Sequence, residues 1–112
     1  MNAELNTDEI VIDSSGDVFR DLDLPSGEED RLKIAIAHAI ANAIRKRDLT
    51  QTETAEVIGV DQAKVSALLK GHLRGFSVDR LFRFLVLLGK DVDIRISNRH
   101  KNRPGRIKVV AA

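Results

Sequence analysis

Residues 49–71 read LTQTETAEVIGVDQAKVSALLKG, and this stretch decides the fold. Thr50 and Glu53 have the spacing of a capping box, in which each side chain binds the backbone N–H of the other residue. A helix is therefore expected to begin at Gln51. Gly59 follows it at a point where the chain must adopt a left-handed backbone, which glycine does at the lowest cost. The pattern predicts one short helix and a tight turn.

A second short helix is expected immediately after that turn. Asp61 is a favourable N-cap, and the helix is predicted to run from residue 62 to 70 and to end at Gly71. Val65 and Leu68, three residues apart, form its buried stripe. Its outward positions carry small, polar or cationic side chains and no acid, namely Gln62, Ala63, Lys64, Ser66, Ala67 and Lys70. This combination is typical of a helix-turn-helix whose second helix enters the DNA major groove.

Two further helices are expected around this pair. Ser26 and Glu29 form another possible capping box, which predicts a long first helix that ends near Arg47. A Ser77 cap predicts a fourth helix whose apolar residues extend nearly all the way around it. The sequence therefore predicts an all-α domain of four or five helices at residues 27–90.

The segment at residues 91–98 changes from the period of a helix to that of a strand. A strand with no sheet to join leaves backbone groups unpaired, so we expect it to pair with the same strand of a second copy. A partner subunit that covers the fourth helix would explain its apolar surface. The alternative explanation is an unusually enclosed core. The residues predicted to form the dimer interface are Phe84, Leu87, Val92, Ile94 and Ile96.

Charge is distributed very unevenly along the chain. Residues 1–30 contain ten of the seventeen acids and one basic residue, whereas residues 31–112 contain seventeen of the eighteen lysines and arginines. We therefore predict an acidic, partly disordered N-terminal arm at residues 1–26. The basic tail at residues 99–112 is either an arm for the DNA backbone or a solubilising end.

Several function classes are disfavoured. The absence of cysteine excludes thiolate metal sites, disulfides and thiol catalysis. The three histidines are scattered, and no catalytic triad spacing, phosphate loop or zinc-binding motif is present, so no catalytic residue, metal or cofactor is predicted. The acidic N-terminus is unlike a secretory signal, and no apolar run approaches the ~20 residues that span a membrane, so we expect a cytoplasmic protein.

The stretch TQTETAEVIGVDQAKVSALLKG resembles the XRE-type, phage-repressor-like helix-turn-helix family, and the resemblance extends over residues 27–90. Thr54 departs from the family pattern, which usually has an apolar residue there. We therefore predict a homodimeric, sequence-specific DNA-binding repressor, in which the amide of Gln62 pairs with adenine and Gln51 binds a phosphate. The full predicted DNA-contact set is Thr50, Gln51, Asp61, Gln62, Ala63, Lys64, Ser66, Ala67, Lys70 and Arg74.

The segments SGDVFRDLDLP and LRGFSVDRLFRFLVLLGKDVDIRI also resemble a narrower group, the HigA-like antitoxins. This resemblance extends over residues 14–98. It implies autoregulation of the operon and a small, basic RelE/HigB-like ribonuclease toxin as partner. The acidic arm is then expected to cover the toxin. Its apolar anchors are predicted to be Ile10, Val11, Ile12, Val18 and Phe19.

Other functions remain open at the level of sequence. Within DNA binders, the alternative is a stand-alone XRE-type regulator or a phage repressor. An interaction module without specific DNA binding is the alternative of another class, and it predicts no preference for an operator. RNA binding through the basic tail is disfavoured because the chain has no Tyr or Trp to stack on bases.

Overall fold

The computed structural model describes residues 9–10, 27–98, 102 and 104–110. In this part of the chain, four helices and two short strands follow one another. The helices are α1 (Glu28–Lys46), α2 (Gln51–Ile58), α3 (Gln62–Leu69) and α4 (Val78–Leu87), and the strands are β1 (Glu9–Ile10) and β2 (Ile94–Arg95). The predicted all-α class with a short C-terminal strand is confirmed.

The core lies where α1 packs on α4 and where α2 and α3 pack against that pair. Its members are almost all aliphatic, as expected from a chain with four phenylalanines and no other aromatic residue. The centre is fully closed to solvent at Ile36, Ile40, Val65 and Leu81, which come from three different helices. Burial of these side chains fixes the position of the short helices, which are too short to be stable alone.

The start of α1 differs from the prediction. Gly27, with a φ of 83°, is the N-cap in place of the predicted Ser26, and it forms no side-chain cap hydrogen bond. Ser26 itself lies outside the described residues. Three acids in the first turn, Glu28, Glu29 and Asp30, favour the helix in another way, because they lie at the positive end of its dipole.

Thr54 is the residue that departs from the family pattern, and the structure explains how it is accommodated. Its side chain is completely buried. The hydroxyl donates to the carbonyl oxygen of Thr50 at 2.8 Å, one helical turn earlier. A buried hydroxyl that keeps a hydrogen bond costs little, and the methyl group still packs in the core.

The apolar surface of α4 is distributed differently from the prediction. Phe84 was expected at a dimer interface but is 3% exposed and lies in the core, with its ring edge-to-face on Phe76 at a centroid distance of 6.0 Å. The reason is helical spacing, since Phe84 lies three residues after Leu81 and four before Leu88, both of which are buried. Leu87, by contrast, is 43% exposed.

The predicted strand is shorter than expected and has a partner in its own chain. β2 covers two residues of the predicted 91–98 range and pairs antiparallel with β1, with Ile10 opposite Ile94 and Glu9 opposite Arg95. The prediction that this strand has no partner within the chain is therefore wrong. The paired residues are more than eighty positions apart along the chain, so the local sequence could not reveal these backbone hydrogen bonds.

The rest of the predicted dimer interface is only partly exposed. Val92 is half-buried and packs against the core, and Ile94 is also half-buried. Ile96, like Leu87, remains largely exposed, at 53% of its surface. Dimerisation stays a prediction, with an exposed surface smaller than the sequence indicated.

The C-terminal segment at residues 104–110 folds back along α1. The backbone N–H of Ile107 donates to Glu28 Oε2 at 3.1 Å, and Val109 packs against the core. Together with α1 and α4 this segment borders an open groove of about 590 Å³, which no residue of α2 or α3 lines. This part of the predicted basic tail is thus attached to the domain on a face to which the short helices do not contribute.

Candidate nucleic-acid interface

The first helix of the pair is held by the predicted capping box. Thr50 Oγ1 accepts from the Glu53 backbone N–H at 3.0 Å, and Glu53 Oε1 accepts from the Thr50 backbone N–H at 2.9 Å. At the other end, Gly59 has a φ of 76°, and its N–H donates to the carbonyl oxygen of Ala55. Both ends of α2 are therefore fixed by local hydrogen bonds, as the sequence predicted.

The second helix, α3, begins at Gln62, three residues after Gly59. Asp61 Oδ1 accepts from the Lys64 backbone N–H at 2.9 Å, which confirms the predicted N-cap. Val65 and Leu68 are buried beneath the helix, and Ala55 of α2 is buried at the centre of the pair. The buried stripe of α3 therefore faces the domain, and its opposite side faces solvent.

All ten residues of the predicted DNA-contact set are accessible. Eight are exposed, and Ser66 and Ala67 on α3 are half-buried. The exposed positions at the start of α3 carry an amide, a methyl group and an ammonium group, from Gln62, Ala63 and Lys64. A helix with such short or flexible side chains can approach the base edges of the major groove closely.

One contact at this surface was not predicted from the sequence. Thr52 Oγ1, in the first turn of α2, donates to Gln62 Oε1, in the first turn of α3, at 3.4 Å. Both side chains are exposed. The only sequence signal is a hydroxyl next to Gln51, and a distance between two helices cannot be read from that signal.

Three basic residues, Arg45, Lys46 and Arg47, lie at the end of α1. Arg47 Nη1 donates to the carbonyl oxygen of Leu88 at 3.3 Å and so satisfies an acceptor at the end of α4. Arg45 donates to Asn42 Oδ1 at 2.9 Å. These contacts support the helix ends and leave the α2–α3 surface as the main candidate for DNA.

The described part of the chain contains neither a candidate metal cluster nor a membrane-spanning helix. Among those residues, no group of three or more His, Asp or Glu side chains is arranged to hold a metal ion. None of the helices described is both long enough and apolar enough to cross a membrane.

The comparisons with known proteins agree with this geometry. A family model described as a helix-turn-helix domain matches residues 18–97. A solved structure named "Putative XRE Family Transcriptional Regulator" is 42% identical, with a TM-score of 0.74, and the match covers 79% of this chain and 100% of that chain. This chain belongs to the XRE family of helix-turn-helix regulators. No curated protein sequence matches it significantly.

Membership of the XRE family confirms the predicted DNA-binding regulator. It also accounts for the surface of α3, which is the second helix of the motif. The family match extends beyond the predicted 27–90 domain on both sides and includes β2. The residues of β2 therefore lie within the part of the chain that the helix-turn-helix family model matches.

Proposed function

We propose that this XRE-family chain is a homodimeric repressor in the bacterial cytoplasm that binds an inverted-repeat operator, with α3 of each copy in the major groove. The observation that carries the proposal is the outer face of α3. It presents Gln62, Ala63 and Lys64 to solvent without an acid on the helix, while the helix itself is anchored by the Asp61 cap and its buried stripe. Such a rigid and uncrowded helix suits direct readout of base edges.

Base readout is assigned to the first turn of α3. The amide of Gln62 can pair bidentately with N6 and N7 of adenine, and Lys64 can reach guanine O6 and N7 or a phosphate. Ala63 and Ala67 can contact a thymine methyl group. Gln51 is exposed at the start of α2, where a phosphate can also bind backbone N–H groups of the helix.

Secondary phosphate contacts are assigned to residues around the two helices. Lys70 and Arg74 are exposed beyond the end of α3, and Thr50 and Ser66 offer hydroxyl groups. For the dimer, Leu87 and Ile96 supply exposed apolar surface, and Val92 and Ile94 are half-buried. Two recognition helices about 34 Å apart then match half-sites on one face of the duplex.

Footprinting on the DNA upstream of the chain's own gene tests this function. Protection of an inverted repeat, with affinity that falls steeply as salt rises, is the expected result. Protection of a single half-site would remove the dimer from the proposal. Equal affinity for operator and random DNA would remove base readout and would favour an interaction module.

The variant Gln62→Ala gives the first specific prediction. Loss of a bidentate base contact is expected to weaken operator binding by about 1–3 kcal/mol and to relax discrimination at one base pair of each half-site. Fluorescence anisotropy with the operator and with singly substituted duplexes measures both effects. Gln51→Ala is the matched control, because loss of a phosphate contact should weaken binding to all sequences alike. A uniform loss for Gln62→Ala would contradict its base-reading role.

A second candidate role is that of an antitoxin, and the uneven charge of the chain favours it. The ten acids within residues 1–30 suit a basic RNA-binding surface on a RelE/HigB-like toxin. Of its predicted apolar anchors, Ile10 has its backbone in β1, whereas Val11, Ile12, Val18 and Phe19 lie outside the described residues. The stand-alone regulator remains the alternative if no toxin is encoded nearby.

Co-expression with the product of the neighbouring reading frame tests the antitoxin role. We expect the full chain to co-purify with that product and to neutralise it. A variant with Val18 and Phe19 replaced by serine should bind and neutralise the product at least tenfold less well, because burial of each apolar side chain contributes about 1.5–3 kcal/mol. This variant keeps β1 intact, so the pairing of β1 with β2 is not disturbed. Unchanged neutralisation would exclude these two anchors.

A further inference from the structure

We propose that Thr52 is a positioning residue for base readout, because it holds the side chain of Gln62 ready for the DNA before binding. The inference rests on the proposed role of Gln62 and deepens it. Thr52 lies outside the predicted DNA-contact set. It is identified by one contact, the hydrogen bond from its hydroxyl to Gln62 Oε1 at 3.4 Å.

The backbone at each end of this contact is fixed by helix caps. Thr52 lies in the first turn of α2, which is fixed by the reciprocal hydrogen bonds of the Thr50 capping box. Gln62 is the first residue of α3, which is fixed by the Asp61 cap. A hydrogen bond between two such helix ends restricts the long glutamine side chain more than it restricts the backbone. Its main effect is therefore on the orientation of the amide.

The hydrogen-bonding capacity of the amide is preserved. An amide oxygen has two acceptor sites, so Oε1 can accept from the Thr52 hydroxyl and from N6–H of adenine at the same time. Both N–H groups of the amide remain available for N7. Thr52 can thus stay bonded to Gln62 while Gln62 reads the base.

The contact between Thr52 and Gln62 lowers the entropic cost of DNA binding. A free glutamine has many rotamers, and immobilising such a side chain at an interface weakens binding. A side chain that is already held in the reading position loses less freedom when DNA binds. Thr52 is therefore expected to improve binding to the correct base and to leave binding to random DNA unchanged.

A double-mutant cycle with Thr52→Val and Gln62→Ala tests this inference. Valine keeps the branched shape of threonine and removes the hydroxyl, whereas Thr52→Ser keeps the hydroxyl and is the matched control. In the full chain, Thr52→Val is expected to weaken operator binding about 3- to 10-fold, with random DNA unaffected. Thr52→Ser should stay within about twofold of the original chain, and Thr52→Val should have no further effect once Gln62 is alanine.

Three results of the cycle would overturn the inference. Equal losses on operator and random DNA would mean that Thr52 contacts a phosphate, as would a loss of the same size in the Gln62→Ala background. No loss at all would mean that the contact has no role in binding.

A measurement on the free protein separates this inference from the proposed function. Side-chain NMR couplings of Gln62 should report one dominant rotamer in the original chain and in Thr52→Ser, and rotamer averaging in Thr52→Val. If the original chain shows no operator preference but the couplings behave in this way, the proposed function fails and the positioning contact stands. Averaged couplings in the original chain would overturn the positioning contact directly.

Discussion

Replacement of Phe84 with alanine is expected to lower the free energy of unfolding by about 3–5 kcal/mol, as large-to-small substitutions of buried aromatic residues do. The ring is 3% exposed and packs edge-to-face on Phe76. The guanidinium carbon of Arg80 lies 5.5 Å from its centroid, so the substitution also removes a cation–π contact. A domain of this size has a total stability of only about 5–15 kcal/mol, and urea denaturation should show the change clearly.

The matched control is Leu87→Ala, three residues further along the same helix. Leu87 is 43% exposed, so its truncation should cost about 1 kcal/mol or less in the monomer. The milder variant Phe84→Leu retains most of the buried volume and should cost clearly less than alanine. If Phe84→Ala left the stability unchanged but dissociated a dimer, Phe84 would belong to the interface that the sequence first indicated, and its placement in the core would be wrong.

The helix-turn-helix could be predicted closely because its signals are local. The Thr50 capping box, the Gly59 turn and the Asp61 cap each involve residues within four positions of one another. Each forms as predicted, since a hydrogen bond between such near neighbours depends little on the rest of the fold. The exposed face of α3 followed directly from the spacing of its two buried residues.

The sequence-based predictions were wrong where an element had more than one possible buried face, or where the contacting residues lay far apart along the chain. On α4, apolar residues surround the helix, so periodicity alone could not decide whether Phe82 or Phe84 faced the core. The structure buries Phe84 and leaves Phe82 partly buried. At α1 the predicted cap and the actual cap, Gly27, are adjacent, and helix ends are commonly uncertain by one or two residues.

Long-range contacts were not accessible from the sequence at all. The pairing of β1 with β2, the bond from Ile107 to Glu28 and the bond from Arg47 to Leu88 join residues more than forty positions apart. No pattern within one segment specifies its distant partner. The same limit applies on a smaller scale to Thr52 and Gln62, ten residues apart on different helices.

These distant contacts matter for function, because they place the C-terminal segment at the groove and away from the surface formed by α2 and α3. The C-terminal segment lies along α1 and borders a groove that α2 and α3 do not line. Arg106 and Lys108 therefore belong to the groove, and the cations closest in sequence to the predicted reading helix are Lys64, Lys70 and Arg74. A charge reversal on each surface can show which of them meets the DNA.

Lys64→Glu is expected to weaken operator binding about a hundredfold in 0.1 M salt. Lys64 is exposed in the first turn of α3, and its backbone N–H already serves the Asp61 cap, so the substitution changes the side chain without removing the cap. Loss of one ionic contact costs about tenfold at this salt concentration, and the repulsion by a new carboxylate costs about as much again. Anisotropy titrations across a salt series should also give a slope that is shallower by about 1.

Lys90→Glu is the control that makes this result specific. Lys90 is exposed, lines the groove bordered by α1, α4 and the C-terminal segment, and undergoes the same change of two charges. The long-range field of the protein is therefore altered equally in the two variants, and only Lys64 lies on α3. We expect Lys90→Glu to weaken binding less than threefold, because Lys90 lines the groove and not the α2–α3 surface, and salt screens an exposed charge that does not contact the phosphates. Equal losses would show that net charge alone attracts the DNA, and a larger loss for Lys90→Glu would move the interface from α3 to the groove.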